Sequence, residues 1–211
     1  MAVASQLPLR VRLAACMCQR TRLIGLRGDL PWRLDPDLQY FRSLLAAHRG
    51  AGILGRATYD EAIRTHPEGL PLRPIVVLTS RPMVAGDGAA NCGVSSAASL
   101  GEALAQLQDT AASWASPESG SAVVWVLGGA SAYREALPVA ASLSLTLITG
   151  GFDAAAAGAG PPCARAAYFP EGWEDYFVLD PSAVTPESRF DAASGLTYEF
   201  HEYIPRRKAV A

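Results

Sequence analysis

Asp37 stands five residues after Leu30-Pro31-Trp32 and directly follows Leu34-Asp35-Pro36. Asp35 suits a helix N-cap and Pro36 the first helical position, so Asp37 is expected in a first turn, where the helix dipole favours its charge. Phe41 shares its face one turn on, Tyr40 flanks that face, and Leu38 opens a Leu38-Phe41-Leu45 stripe. A carboxylate bordered by aromatic and aliphatic side chains can hold a ligand or move a proton. Taken alone, Asp37 reads as a surface aspartate placed by the dipole.

Three further groups could bind anions. In Leu54-Gly55-Arg56-Ala57-Thr58-Tyr59 a strand ends in glycine, and Arg56 and Thr58 open a helix. Free N–H groups, the dipole and a guanidinium then suit a phosphate; an ordinary capped helix is the alternative. In Val126-Leu127-Gly128-Gly129-Ala130-Ser131-Ala132-Tyr133 two glycines join a buried strand to a helix and would let the backbone approach a pyrophosphate. The spacing is not the Gly-x-Gly-x-x-Gly fingerprint, and a tight turn explains it equally. In the third, Arg73 precedes a β-branched strand at residues 75–79, and Thr79, Ser80 and Arg81 lie at its end. Arg73 could grip a carboxylate with its fork, and the Thr79-Ser80-Arg81 run could hold a phosphate. Solvated surface charge is the alternative for both arginines.

The elements that position these groups alternate. Strands are expected at 11–18, 51–54, 75–79, 123–127, 143–148 and 196–203, and helices at 35–48, 58–64, 100–108 and 130–137. This predicts an α/β fold in one domain, residues 11–205, with tails at 1–10 and 206–211. Residues 111–121 and 154–165 read as surface excursions, the second as an inserted flexible loop. No repeat or linker divides the chain.

Half of the residues are hydrophobic, 18% are charged and the net charge is −2, so a general nucleic-acid or membrane partner is not expected. No apolar run approaches the roughly 20 residues that span a bilayer. The arginine-rich start, free of acids to Leu23, suits either a mitochondrial leader or a first strand with a short tail, and the apolar run Leu13-Ala14-Ala15-Cys16-Met17 favours the strand. Cys16, Cys18, Cys92 and Cys163 fit no zinc spacing, no metal is expected, and they read as free thiols of a reducing compartment, with a cytoplasmic location.

Taken together and in this order, the four constellations resemble the dihydrofolate reductase family from about Leu13 to Tyr203. Thr146 in its strand and Tyr168-Phe169-Pro170 add to the likeness. The resemblance implies a mixed, mostly parallel central sheet flanked by helices. It also implies NADPH-dependent reduction of 7,8-dihydrofolate to tetrahydrofolate, by hydride transfer to C6 with protonation of N5. Asp37 would be the catalytic carboxylate, Trp32 would help hold an ordered water, and Thr146 would hydrogen-bond Asp37. Leu38, Phe41 and Leu70 would line the substrate slot, and Arg73 would pair with the glutamate tail. Leu13, Ala15, Leu127 and Tyr133 would border the pterin and nicotinamide. Gly55, Arg56, Ala57 and Thr58, with Thr79, Ser80 and Arg81, would bind cofactor phosphates. Gly128, Gly129, Ala130, Ser131 and Tyr133 would take the pyrophosphate and nicotinamide side. Ile24, Gly28 and Asp29 would belong to a mobile closing loop.

The segment before Ile24 is about two residues longer than in many relatives, so the Ala15 match can slip. The 154–165 insertion replaces a region where relatives often carry an acid that steadies the loop. Two other readings stand beside this one: a reductase of the same fold acting on another heterocycle, and a non-catalytic module binding NADPH or folate. A monomer is expected, as is the option of a place within a bifunctional polypeptide.

Overall fold

The structure is a computed structural model and describes residues 7–65, 69–81, 93–115, 120–157 and 166–206. The elements run β1 (Leu9–Cys18), β2 (Leu23–Leu26), α1 (Asp35–Ala47), β3 (Ala51–Gly55), α2 (Arg56–Thr65), β4 (Ile75–Leu78) and β5 (Val94–Ala97). They continue with α3 (Leu100–Trp114), β6 (Ala122–Val126), α4 (Ala130–Ala136), β7 (Ser142–Gly150), β8 (Ala166–Tyr168), β9 (Phe177–Leu179), β10 (Arg189–Asp191) and β11 (Leu196–Pro205). The main sheet has the order β10-β11-β7-β1-β6-β3-β4-β5, with β9 also on β11, and β2 pairs separately with β8. From β7 across to β5 the strands are parallel, while β11 runs antiparallel to β7, β9 and β10. This is the expected mixed, mostly parallel α/β sheet.

The two-residue period of the strands divides the core. Val11, Leu13, Ile53, Val76, Val124 and Val126 pack with Leu100, Ala103, Leu107 and Ala132 of α3 and α4. Ala14, Leu54, Ile75, Val77, Val123 and Trp125 face the other way and pack with Leu45 of α1 and Tyr59 of α2. β1 is central and buried on both faces, which is why residues 11–18 read as a strand rather than a leader. It begins at Leu9, inside the expected tail.

Several expectations change. The helix expected at 100–108 runs to Trp114 because Ala111 extends the buried stripe of Leu100, Ala103 and Leu107, so residues 111–114 are no surface excursion. Ser99 caps it, accepting from the Glu102 N–H at 3.2 Å. The strands β2, β5, β8, β9 and β10 were not anticipated; each has only three or four residues and is incompletely buried. Cys16 and Cys18, two residues apart on one strand, are buried free thiols. Cys92, Cys163 and most of the expected inserted loop lie outside the described residues, Ala154 to Ala157 forming a turn at its start. Among the described residues, no helix is long and apolar enough to cross a membrane.

Candidate active site

A cleft of about 780 Å³ opens between α1, α2, the segment leading into α1, and the C-terminal ends of β1 and β6. Its position at the carboxyl ends of parallel strands is the usual one for ligands in open α/β sheets. Of the residues singled out in the sequence, Asp37, Trp32, Thr146, Ala15, Leu38, Phe41, Leu70, Leu127 and Tyr133 line it. So do Ile24, Asp29, Thr58, Gly128 and Gly129.

The first turn of α1 presents Asp37. Its N-cap is Leu34, in extended conformation, and Pro36 occupies an early helical position. The Asp37 N–H donates to the Leu34 carbonyl at 3.1 Å. Asp35 is therefore not the cap: it sits inside the helix, and its carboxylate receives the Arg33 Nε–H at 3.1 Å. Burial pushes the Asp37 carboxyl above its ordinary range, while hydrogen bonds from Thr146 and Cys16 pull it back. Thr146 and Cys16 are partners in the β1–β7 register, so their side chains project together beneath Asp37. Burial, and next the Asp37 charge, raise the Cys16 thiol well above its usual range, which keeps it a protonated donor. The buried Trp32 indole N–H, on the same wall, leans toward the Cys16 sulfur and reaches no oxygen or nitrogen among the described residues.

Leu13 does not line the cleft. It is fully buried against α3 and α4, and the period of β1 sends Ala14 and Cys16 to the cleft instead. The Tyr133 hydroxyl donates to the Ala14 carbonyl at 2.7 Å and fixes this wall.

The expected mobile loop is more ordered than a loop. Leu23–Leu26 is strand β2, and Leu26 and Asp29 exchange backbone hydrogen bonds of 2.8 and 3.1 Å. Between them Arg27 and Gly28 have φ of 57° and 86°, the primed turn geometry that suits a hairpin. Gly28 lies at the turn tip, away from the cleft lining. Asp29 crosses the cleft mouth, where its Oδ2 accepts from Arg64 of α2 at 2.8 Å. Burial, and then the adjacent Asp29 carboxylate, push Glu61 of α2 up to about 7.

Along another part of the cleft, β3 and β6 end against each other. The Gly55 N–H donates to the Gly128 carbonyl at 2.6 Å, and a cis peptide joins Gly128 to Gly129. A Cβ on Gly55 would stand 3.1 Å from the Gly129 nitrogen. Gly128 has φ +106°, and a Cβ there would meet the Tyr133 ring at 3.1 Å. Ala130 and Ser131 open α4 beyond this cradle, outside the cleft lining. Arg56 and Ala57 open α2, but the Arg56 Nε–H is shared by both Asp60 carboxylate oxygens at 2.8 and 2.9 Å. At the end of β4 the Thr79 hydroxyl bridges the Arg81 carbonyl and N–H at 3.0 and 3.1 Å, with Ser80 exposed between them. Parallel pairing of β3 with β4 brings this turn beside Gly55.

Arg73 lies outside the cleft lining, on the exposed turn that follows Leu70. Its Nη1 donates to the carbonyls of Leu70 at 3.1 Å and Leu72 at 2.6 Å, which holds the guanidinium against its own turn.

A family model described as dihydrofolate reductase matches residues 12–169. The chain belongs to the dihydrofolate reductase family. It is 32% identical over 181 residues to the dihydrofolate reductase of Mycobacterium tuberculosis, covering 86% of this chain and 89% of that protein. It is 35% identical over 125 residues to dihydrofolate reductase HdrB of Haloferax volcanii; the match spans 59% of this chain and only 58% of that protein. Its fold is similar to a solved Enterococcus faecalis dihydrofolate reductase complexed with NADP(H) and RAB-propyl, at a TM-score of 0.66 and 24% identity, covering 94% of this chain and 97% of that one. Members of this family are NADPH-dependent oxidoreductases.

This family member holds site residues that sequence reasoning passed over. Cys16 read as an incidental thiol, yet it touches Asp37. Ser144, Glu202, Glu61 and Arg64 drew no attention; the alternation Ser142-Leu143-Ser144-Leu145-Thr146 was the one available signal, since it sets three hydroxyls on a single face of a buried strand.

Proposed function

We propose that this chain reduces 7,8-dihydrofolate to 5,6,7,8-tetrahydrofolate with NADPH and so supplies one-carbon metabolism. The observation that supports this most is Asp37: a buried carboxylate inside the cleft, with Thr146 and Cys16 donating to it and, on the same wall, an indole N–H that meets no oxygen among the described residues. A planar heterocycle with adjacent N–H and amino donors matches such a carboxylate. Leu38, Phe41 and Leu70 supply the apolar sides of the slot, and Arg73 takes the glutamate α-carboxylate at its outer end.

The cradle at Gly55, Gly128 and Gly129 fits the cofactor, because its close backbone approach leaves room that side chains would fill. When bound there, NADPH supplies the hydride. Thr58, Gly129, Ala130 and Ser131 would hold the pyrophosphate with a hydroxyl and the N–H groups of the α4 N-terminus. Arg56, Thr79, Ser80 and Arg81 would hold the 2′-phosphate, with Arg56 exchanging part of its grip on Asp60. Asp37 would orient the pteridine and favour a proton at N5, and the Trp32 N–H would hold the bridging water. Asp29 and Ile24 would help exclude bulk water from the reacting face.

The direct test is the decay of NADPH absorbance on adding dihydrofolate. Turnover that requires dihydrofolate is expected; decay with another heterocycle alone would move the chain to a different substrate. For the cofactor, kcat/KM should favour NADPH over NADH, and Arg56→Ala should narrow that preference by about tenfold to hundredfold, as a lost charge-assisted bond does. Equal kcat/KM for both cofactors in the parent would remove the 2′-phosphate assignment. For the substrate tail, Arg73→Leu should weaken folates bearing a glutamate by a similar factor of about tenfold or more, and barely change small pteridines without that tail. Titration of both ligand types checks this; an equal loss for both would make Arg73 a structural residue.

A further inference from the structure

Behind the cleft a polar seam runs along one face of β7. Ser142, Ser144 and Thr146 are its three buried hydroxyls, and each meets a charged residue. The Ser142 Oγ accepts from Arg12 Nε at 3.0 Å. The Ser144 Oγ donates to Glu202 Oε2 at 2.8 Å, and Glu202 is its partner in the antiparallel β7–β11 register. Thr146 donates to Asp37.

Helix α1 meets this seam twice. Asp37 reaches Thr146, and Tyr40, three residues on and on an adjoining part of the same face, donates its hydroxyl to Glu202 Oε1. The Tyr40 ring stacks on Phe200 of β11 with centroids 4.1 Å apart. Tyr40 and Ser144 line the cleft together with Asp37 and Thr146. The helix is thus tied to the sheet by two carboxylate–hydroxyl rungs: one carboxylate comes from the helix, the other from β11.

We propose that Glu202 is a positioning residue for the reaction, acting through Tyr40 and Ser144 to fix the rotation and height of α1 over β7 and so to hold Asp37 against Thr146. This rests on the reading of Asp37 given above. A helix that slides or turns by a fraction of a turn would carry the carboxylate off its Thr146 donor, and small misplacements of a reacting group are costly in rate. Apolar packing alone is a poor register device, because it has no direction. A half-buried carboxylate that accepts from two hydroxyls at once has few positions that satisfy both.

The state of Tyr40 agrees with the geometry. Burial first, then its hydrogen bond to Glu202 and the charges of Glu202 and Asp37, raise its hydroxyl far above the usual range. The hydroxyl therefore stays a donor at any working pH. The charged and titratable groups facing Glu202 are Arg12 from β1, His48 at the end of α1 and, by way of Tyr40, Asp37 from α1.

The experiment measures single-turnover hydride transfer against pH in the full chain for Tyr40→Phe, Glu202→Leu, Glu202→Gln and the Tyr40→Phe/Glu202→Leu double variant. It also follows the titration of the Asp37 carboxyl by ¹³C NMR, assigned with Asp37→Asn. Tyr40→Phe keeps the ring stack and should slow transfer by about tenfold. Glu202→Leu should do the same, and Glu202→Gln, whose carbonyl still accepts from Tyr40, should recover most of the loss. The double variant should be no slower than either single one, because both remove the same tie. In Tyr40→Phe the Asp37 titration should move upward as its Thr146 hydrogen bond loosens.

A lowered melting temperature with unchanged rates and an unchanged Asp37 titration would overturn the proposal, as would strictly additive losses. If Glu202→Leu fails to fold, the Tyr40→Phe profile and titration decide alone. A parent that does not turn over dihydrofolate would defeat the functional reading, and the Asp37 titration would still test the positioning.

Discussion

Asp37→Asn is expected to slow hydride transfer at neutral pH by about 10²–10⁴, the range typical of general acid–base groups. Asparagine fills the same space and keeps some hydrogen bonds, but it cannot carry the negative charge that favours a protonated substrate. The deficit should shrink as pH falls, because solvent then supplies the proton. NADPH affinity should change little, since the proposed cofactor cradle is built from Gly55, Gly128 and Gly129 and not from Asp37. Pre-steady-state transfer rates against pH, with NADPH titration alongside, check this. A parent-like rate at neutral pH would leave Asp37 as a first-turn carboxylate without a chemical task.

The same variant carries a stability signature of opposite sign. Burial raises the Asp37 carboxyl in the folded protein above its unfolded value. Between the two values the folded state still holds a proton that the unfolded chain has released. The stabilising contribution is therefore complete below the ordinary carboxylate range and is lost as pH rises through the raised value. Asp37→Asn should melt above the parent at neutral pH, with the gap closing in acid. A lower melting temperature together with slow transfer would instead indicate a damaged fold.

The second large effect is expected at Trp125. This residue is fully buried in β6 beneath α1, and its indole N–H donates to the His48 carbonyl at 2.9 Å, at the C-cap of the helix that carries Asp37. The Arg12 guanidinium lies 5.1 Å from its ring centroid. Trp125→Ala should destabilise the fold by about 3–5 kcal/mol, the usual cost of deleting a large buried aromatic. For a chain of this size that lowers Tm by on the order of 10 °C. Urea and thermal unfolding measure it. A loss below about 1 kcal/mol would mean that α1 settles into the space, against the close packing expected of an interior.

The features legible in the sequence were those set by local chemistry. Val123 to Val126 and Ile75 to Val77 announce strands because both faces are apolar, and Gly55 and Gly128 announce close backbone approach. Asp37 was legible because Pro36 and the Leu38-Phe41-Leu45 stripe locate a helix start. The features missed depend on register between distant segments. Glu202 is 162 residues from Tyr40, and nothing near either residue forecasts their pairing. Arg64 and Asp29 likewise meet only because β2 turns sharply back at Arg27 and Gly28. Asp35 misled for a different reason: its type suits a cap, but the extended backbone begins one residue earlier, at Leu34.

The sheet order also bears on how the molecule is made. β11 lies between β7 and β10, and it brings Glu202 and Phe200 to the back of the cleft. A ribosome completes Asp37, Cys16 and Thr146 long before residues 196–205 leave its exit tunnel. Until then β7 presents a bare edge of unpaired N–H and carbonyl groups, the kind that recruits strands from neighbouring chains. The nascent polypeptide thus passes through a period in which Asp37 exists but the scaffold behind it is unfinished, and the arrival of one late strand both covers the edge and brings Glu202 to Tyr40.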